Sequence, residues 1–465
     1  MAALSSRTLA SSDIDRGQRL VRRFATLNGV SVALLLDSML ILYAIRNGLG
    51  DAAVATLASF MHLTMPFMIL GKVSIARHGA ARTWGTGWLL RSVSAAIMIA
   101  APFVPGAAPQ AIRTAIILAG GFGFAAFRAI GLVGNSPVIG EITTADDRGR
   151  FLSGNWARAT LTQMITLTTV ILLLRRDSST AVFQAMIAVG AAIGIYVGIV
   201  LNRVPESDVP RESASLPLRD TVRRVWRVVR MRKLLFAWIA SFASFTLVIP
   251  FAVITLKNGY GVSDYQALGF TLLTLLGGMT ASLVNGAIAD EVGPRPLLII
   301  YVATLMGIAA YWAFAADTLA IGPTIAAFFL AGYCKFGILS AANHYFLNVT
   351  SGSDRVGSAI ILRTATGATT GLIGSVFGGG ILTILANAEF VGMDIYRTYF
   401  RIAVGVVAAA VVVVSRLDRL GDWSVVRAAL LLFRPKRILA IRSAVSGCRR
   451  GQKGREKEWR KGDAE

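Results

Sequence analysis

"FRAIGLVGNSPVIGEITTADDRGRFLSGNWARA" occupies residues 127–159, and a stretch of the same design, "CKFGILSAANHYFLNVTSGSDRVGSAIILRTA", returns at residues 334–365. Each holds an Asp-Arg pair, Asp147-Arg148 in the first and Asp354-Arg355 in the second. A cation stands about 20 residues before each pair, Arg128 and Lys335, inside an apolar run. A second cation follows about ten residues after, Arg158 and Arg363, in the next apolar run. Equal spacing in two places predicts an internal duplication, each copy passing down one helix, through a charged turn and up the next.

The rest of the chain says what those apolar runs are. Of 465 residues 55% are hydrophobic and 15% charged, and the mean hydropathy is +0.62. Soluble domains carry about 25% charged residues, so the fold class is an all-α integral membrane protein. Apolar runs long enough to cross ~30 Å of hydrocarbon as helix recur roughly twelve times. They fall at about 24–46, 51–72, 84–105, 112–141, 151–174, 179–202, 233–256, 264–289, 296–316, 319–348, 357–386 and 397–416. These are spans 1 to 12. The alternating ten-residue segments of an outer-membrane barrel are not seen.

A net charge of +22 raises the question of nucleic acid. The distribution answers it. With the N-terminus assigned to the cytoplasm, about 35 of the 47 Lys and Arg fall in cytoplasmic segments and about six outside, the positive-inside pattern. The excess therefore marks topology and contact with anionic lipid headgroups, and no nucleic-acid partner is expected. The expected location is the inner (cytoplasmic) membrane, with both termini cytoplasmic.

This divides the chain into a cytoplasmic segment, 1–23, a six-helix bundle, 24–202, a basic linker, 203–232, a second six-helix bundle, 233–416, and a basic tail, 417–465. The linker ends in "LRDTVRRVWRVVRMRK", with Val and Trp at helical spacing among arginines, which reads as an amphipathic helix on the membrane surface. In the tail, "DWSVVRAALLLFRPKRILAIRSAV" is broken by charge and by Pro435. It reads as an interfacial helix followed by a disordered charged end.

A charge at mid-membrane costs roughly 2.5–3.5 kcal/mol even on the lenient insertion scale. Arg128 and Lys335 lie near mid-span, and Arg158 and Arg363 about two turns in from the cytoplasmic ends of spans 5 and 11. Asp37 in span 1 is the acidic residue near mid-span, and one carboxylate cannot neutralise four cations. One reading is a basic cavity for an anionic solute, a carboxylate or phosphate ester, because Arg forks bind such groups bidentately. Asn135, Asn343 and His344 would add hydrogen bonds. The competing reading is structural: Asp37 pairs with Arg128, and Arg158 and Arg363 snorkel to the headgroups. A third is a proton relay without an anionic substrate. Arg91 and Arg401 read as snorkelling near span ends, and His62 as a packed polar residue. Glycines at 367, 371, 374 and 378–380 predict a smooth face on span 11 for close packing.

The loop between spans 8 and 9, "NGAIADEVGPRPLL", resembles the cytoplasmic signature of the major facilitator superfamily, Gly-x-x-x-Asp-x-x-Gly-x-Arg. Gly286, Asp290, Gly293 and Arg295 match it. In the first half "KVSIARHGAARTW" offers Gly79 and Arg82, but Ala76 stands at the acidic position. The resemblance runs over roughly residues 24 to 416. It implies two six-helix bundles related by a pseudo-two-fold axis, rocking about a central site lined by spans 1, 4, 7 and 10. It also implies that the signature loops, with Asp147-Arg148 and Asp354-Arg355, exchange contacts as the gate moves.

The expected function is thus secondary active transport of a small organic anion by alternating access, with a proton or ion as coupling partner and a monomer as the working unit. The alternatives are proton-coupled movement of a neutral sugar or drug-like solute, and a non-transporting receptor or scaffold of the same fold. No nucleotide loop, metal-ligand cluster or nucleophile–base set is present, so no cofactor, no metal and no catalysis are expected.

Overall fold

A computed structural model of the protein describes residues 9–35, 38–104, 110–143, 145–215, 218–350, 355–388, 390, 392–420 and 423–432. Among the described residues, twelve helices are long and apolar enough to cross a membrane, and no strand occurs. Spans 1 to 6 are Ser11–Arg46, Asp51–His78, Ala80–Phe103, Gln110–Ile142, Gly154–Arg176 and Thr180–Leu201. Spans 7 to 12 are Val229–Gly259, Asp264–Asn285, Pro294–Ala313, Ile321–Phe346, Gly357–Asn387 and Met393–Ser415. Lipid offers no partner for backbone N–H and C=O, so each crossing segment must close its own ladder as helix. Hydroxyls inside the spans follow suit. Those of Thr56, Thr255 and Thr370 each donate to the carbonyl one turn back, at 2.8 Å.

The helix ends depart from the apolar runs in two informative places. Span 1 is helical from Ser11 to Leu35, so its polar start shares one helix with the apolar residues up to Leu35. Span 3 begins at Ala80, a turn earlier than hydropathy alone suggests. In the linker, Leu218–Arg227 forms a short helix with Val225 buried and Val222, Trp226, Arg223 and Arg227 exposed. In the tail, Val425–Leu432 is helical. The end expected to be disordered, from 433 onward, lies outside the described residues.

The two halves are packed alike. Span 3 lies against spans 4 and 6, and span 1 against 5 and 6; span 9 lies against 10 and 12, and span 7 against 11 and 12. The halves meet along two seams, span 2 with span 11 and span 5 with span 8. The glycine face of span 11 fills the first seam. A Cβ on Gly371 would run into the backbone of Leu63, and one on Gly367 into Met65. Small residues here let two helix backbones approach closely.

An even number of spans puts the termini and the linker on one face. On the opposite face the halves are tied together. Arg46 of span 1 bonds Asp264 of span 8 at 2.8 Å, and Lys257 of span 7 reaches the same carboxylate at 2.6 Å. Asp51 of span 2 accepts hydrogen bonds from Tyr396 Oη at 2.7 Å and from Asn258. On the terminus-bearing face the polar ties between described residues stay within each half. Gln18 joins the end of span 4 through Ile142 O at 2.9 Å, and Lys233 pairs with Asp418. Apolar contact still crosses there, since Ile360 of span 11 packs into a first-half cluster with Val21 and Phe24.

Candidate functional site

Between the halves lies a cavity of about 100 Å³. Small-molecule sites usually enclose 300–1,000 Å³, so the site is held nearly shut. Spans 1, 2, 4, 7, 8 and 10 line it. The first half contributes Ser38, Phe60, Met61, His62 and Phe124. The second contributes Phe245, Thr246, Pro250, Thr271, Phe328 and Lys335. Ser38 and Thr271 join hydroxyls across the halves at 2.6 Å. Thr246 is 3% exposed, and its buried hydroxyl has no hydrogen-bond partner. The His62 ring packs 5.7 Å from that of Phe245 and 6.4 Å from that of Phe242.

Of the site residues expected from sequence, Lys335 lies in this wall. Arg128 is half-buried on span 4, one turn beyond the lining residues Phe124 and Ala125 toward the terminus-bearing face. Asn135 is half-buried further along the same helix, as are Asn343, His344 and Arg363 on spans 10 and 11. None of these five is in the lining. Arg158 is exposed on the surface of span 5. Asp37 and Asp354 lie outside the described residues, and the side chains of Asp147, Arg148, Gly286, Asp290 and Arg355 lie outside them too.

Sequence reasoning missed Arg91. It does not snorkel: the earlier start of span 3 sets it deep in the helix, 1% exposed and turned toward spans 1 and 4. Its Nη2 donates to Asn28 Oδ1 at 3.0 Å, an oxygen that also accepts Trp88 Nε1–H at 2.9 Å. The guanidinium lies 4.5 Å from the Trp88 ring centroid and 5.2 Å from that of Phe124. Aromatic faces and an amide oxygen thus take the place of a counter-ion, and Nε makes no hydrogen bond. Arg128 is near enough for its charge to act on Arg91. Phe124 touches Arg91 and also lines the cavity, so a buried positive charge stands behind the cavity wall. Arg401 is exposed, as a snorkelling residue would be. The His62 ring packs against Phe242 and Phe245, and it also faces the cavity.

The two signature turns share one backbone shape. Gly79 has φ 96° and ψ 166°, and Gly293 has φ 85° and ψ 156°; each caps the N-terminus of the following span. This region of backbone space is essentially glycine-only. The acid missing at Ala76 is supplied from elsewhere. Glu206, in the segment after span 6, accepts the Ala81 N–H at 2.8 Å. Its neighbour Ser207 bonds Glu141 at the end of span 4, with 2.8 Å from its N–H. Burial pushes the Glu206 carboxyl above its ordinary 4.5, opposed by the N–H groups of Ala81 and Ala80. In the second half Arg295 Nη2 donates to Ser415 O at 2.6 Å, closing the end of span 12.

Among the described residues no group of three His, Cys, Asp or Glu could hold a metal ion. The family profile of the Major Facilitator Superfamily matches residues 25–375. No curated protein matches the chain in sequence. Solved structures do match in shape. The nucleoside transporter NupG, as a mutant, superposes with a TM-score of 0.68 at 12% identity, covering 87% of this chain and 100% of its own. A D-xylose-proton symporter gives 0.65 at 16% identity, with 87% and 98% covered. A bacterial homologue of the human lysosomal transporter Spinster, inward-facing and unoccupied, gives 0.64 at 14%, with 90% and 100% covered. Identities this low speak for the fold alone; the profile match over most of the chain, on twelve spans in two like halves, shows that this protein belongs to the major facilitator superfamily.

Proposed function

We propose that the protein is a secondary active transporter that moves a small organic anion across the cytoplasmic membrane by alternating access. The observation that carries this reading is the charge around the central cavity. Lys335 lies in its wall, Arg91 stands behind Phe124, and no Asp or Glu occurs among the described lining residues. Cations this deep are costly without a function. The ties between the halves on the face opposite the termini fit a transporter closed to the outside. The charge distribution puts the termini and linker in the cytoplasm. Asp37, next to the lining residue Ser38, is the proposed coupling or ion-pair acid, and a monomer the proposed unit.

A second reading is proton-coupled movement of a neutral solute. The Ser38–Thr271 hydroxyl pair and His62 in the wall favour it. Two of the structural neighbours are named for such solutes, nucleosides and D-xylose. Uptake into proteoliposomes separates the readings. A panel of labelled organic acids, phosphate esters and sugars is offered to wild type and to the Lys335→Gln, Arg128→Gln double variant. Acid uptake lost in the double variant is the expected result. Sugar uptake that survives it overturns the anion reading, and a chain that moves nothing in either form is a receptor or scaffold.

A further inference from the structure

The composition of the cavity wall narrows the class of anion. We infer that the solute is a small monocarboxylate with an apolar body, aromatic or branched, and not a polyanion or a polyol; this rests on the anion reading above. The wall is built mostly of carbon: phenyl rings from Phe60, Phe124, Phe245 and Phe328, with Met61 beside them. Such a surface binds by removing apolar area from water, at about 25 cal/mol per Å². A sugar or phosphate ester would exchange its many bonds to water for the few polar groups of the wall, Ser38, His62, Thr246, Thr271, Thr274 and Lys335.

One lysine, Lys335, and no arginine lines the cavity among the described lining residues. An ammonium is a compact point charge, whereas phosphate and dicarboxylate sites favour the bidentate fork of Arg. The arginines nearby do not reach the lining: Arg128 is a turn away, and Arg91 is held behind Phe124 by Asn28. They add positive field but no contact. A second negative charge on the solute would therefore be desolvated without a partner.

The second feature is Thr246. Its hydroxyl is buried, lines the cavity and bonds nothing in the protein. A buried donor without a partner is rare in a native structure, and a carboxylate has two oxygens to satisfy. Lys335 and Thr246 both belong to the second half, while Phe60, Met61 and Phe124 belong to the first. The second half thus takes the charged end of the solute, and the first half takes part of its body.

Thermal unfolding of the purified full-length chain tests this with named probes: benzoate, 3-methylbutanoate, the neutral isostere benzamide, the dianion phthalate, glucose 6-phosphate and xylose. The two monocarboxylates should stabilise the protein, with benzamide at least tenfold weaker and the other three without effect. Lys335→Met should erase the preference for benzoate over benzamide, and Thr246→Val should weaken benzoate several-fold. Lys335→Arg, which keeps the charge should Lys335→Met not fold, should retain the preference. Phthalate or glucose 6-phosphate binding more tightly than benzoate overturns this inference and leaves the anion reading standing. Xylose or benzamide binding best, indifferent to Lys335→Met, overturns both. No stabilisation by either monocarboxylate overturns the inference.

Discussion

The turn before span 3 and the turn before span 9 are the same piece of backbone held by different neighbours. Both place a glycine in the same sparsely allowed region, at φ 96° and 85°. The first is held by Glu206, from the segment that follows span 6. The second is held from the segment that follows span 12, where Trp423 N–H bonds Val292 O at 3.0 Å, and by Arg295 reaching the end of span 12. Each half thus folds its own trailing segment back over its own signature turn. The comparison teaches that the geometry is what the duplication carried, while its supports differ in kind: an acceptor meets the N-terminal N–H of span 3, whereas donors meet the carbonyls of Val292 and Ser415 beside the second turn.

The largest effect should come from removing the glycines. Gly293→Ala should cost about 1–3 kcal/mol of backbone strain. Gly79→Ala should cost about 1 kcal/mol more, because its new Cβ would collide with the Glu206 carboxylate and displace a cap. Denaturant or thermal unfolding in detergent reads the difference, and equal losses would mean that Glu206 holds nothing. Next, Arg295→Met should cost about 1–2 kcal/mol by leaving the Ser415 carbonyl without its charged donor. Arg82, three residues after its glycine where Arg295 is two after its own, is exposed, and Arg82→Met should stay within about 0.5 kcal/mol. Glu206→Ala should cost about 1 kcal/mol as a lost cap, and Ala76→Asp in that background should recover part of it if a local acid can do the same work.

The smallest effect is in pH. The Glu206 carboxyl is raised from 4.5 by burial, so the folded chain holds that proton more firmly than the unfolded one. The stability it contributes is present below the unfolded value and is lost as pH rises through the folded one. Wild type should therefore gain on Glu206→Gln as pH falls through that window, whereas Gln keeps an acceptor for Ala81 and stays flat. A difference between the two melting curves that does not change with pH would contradict it.

The twelve spans and the duplication were legible because both are one-dimensional patterns: apolar length, and the spacing of charges within it. Depth in the membrane is readable in the same way, which is why Lys335 stood out. Rotation about the helix axis is not. Arg128, Arg158 and Arg363 are cations in apolar runs like Lys335, yet none enters the lining: Arg128 lies a turn beyond it and Arg158 is exposed on span 5. Arg91 was misread because a helix that starts at Ala80 carries it a turn deeper than the hydropathy edge implied. Thr246 and the phenylalanines of the wall are ordinary residues for a membrane span, so nothing local marks them. Glu206 acts 125 residues away from its partner Ala81, and a lost acid at Ala76 gives no hint of where its replacement lies.

Asp264 is 3% exposed and has two cations, one from each half of the molecule. If the halves part on that face, Lys257 leaves with it, because both belong to the second half. Arg46 stays with the first half, where Ser178 lies 3.1 Å from its Nη2 and its guanidinium stands 5.7 Å from the Phe183 ring centroid. Neither side is left with a naked buried charge, the situation that costs 3–5 kcal/mol when one partner of a buried pair is removed. Such a lock gives up one ion pair on opening, and each charge keeps partners that it already has.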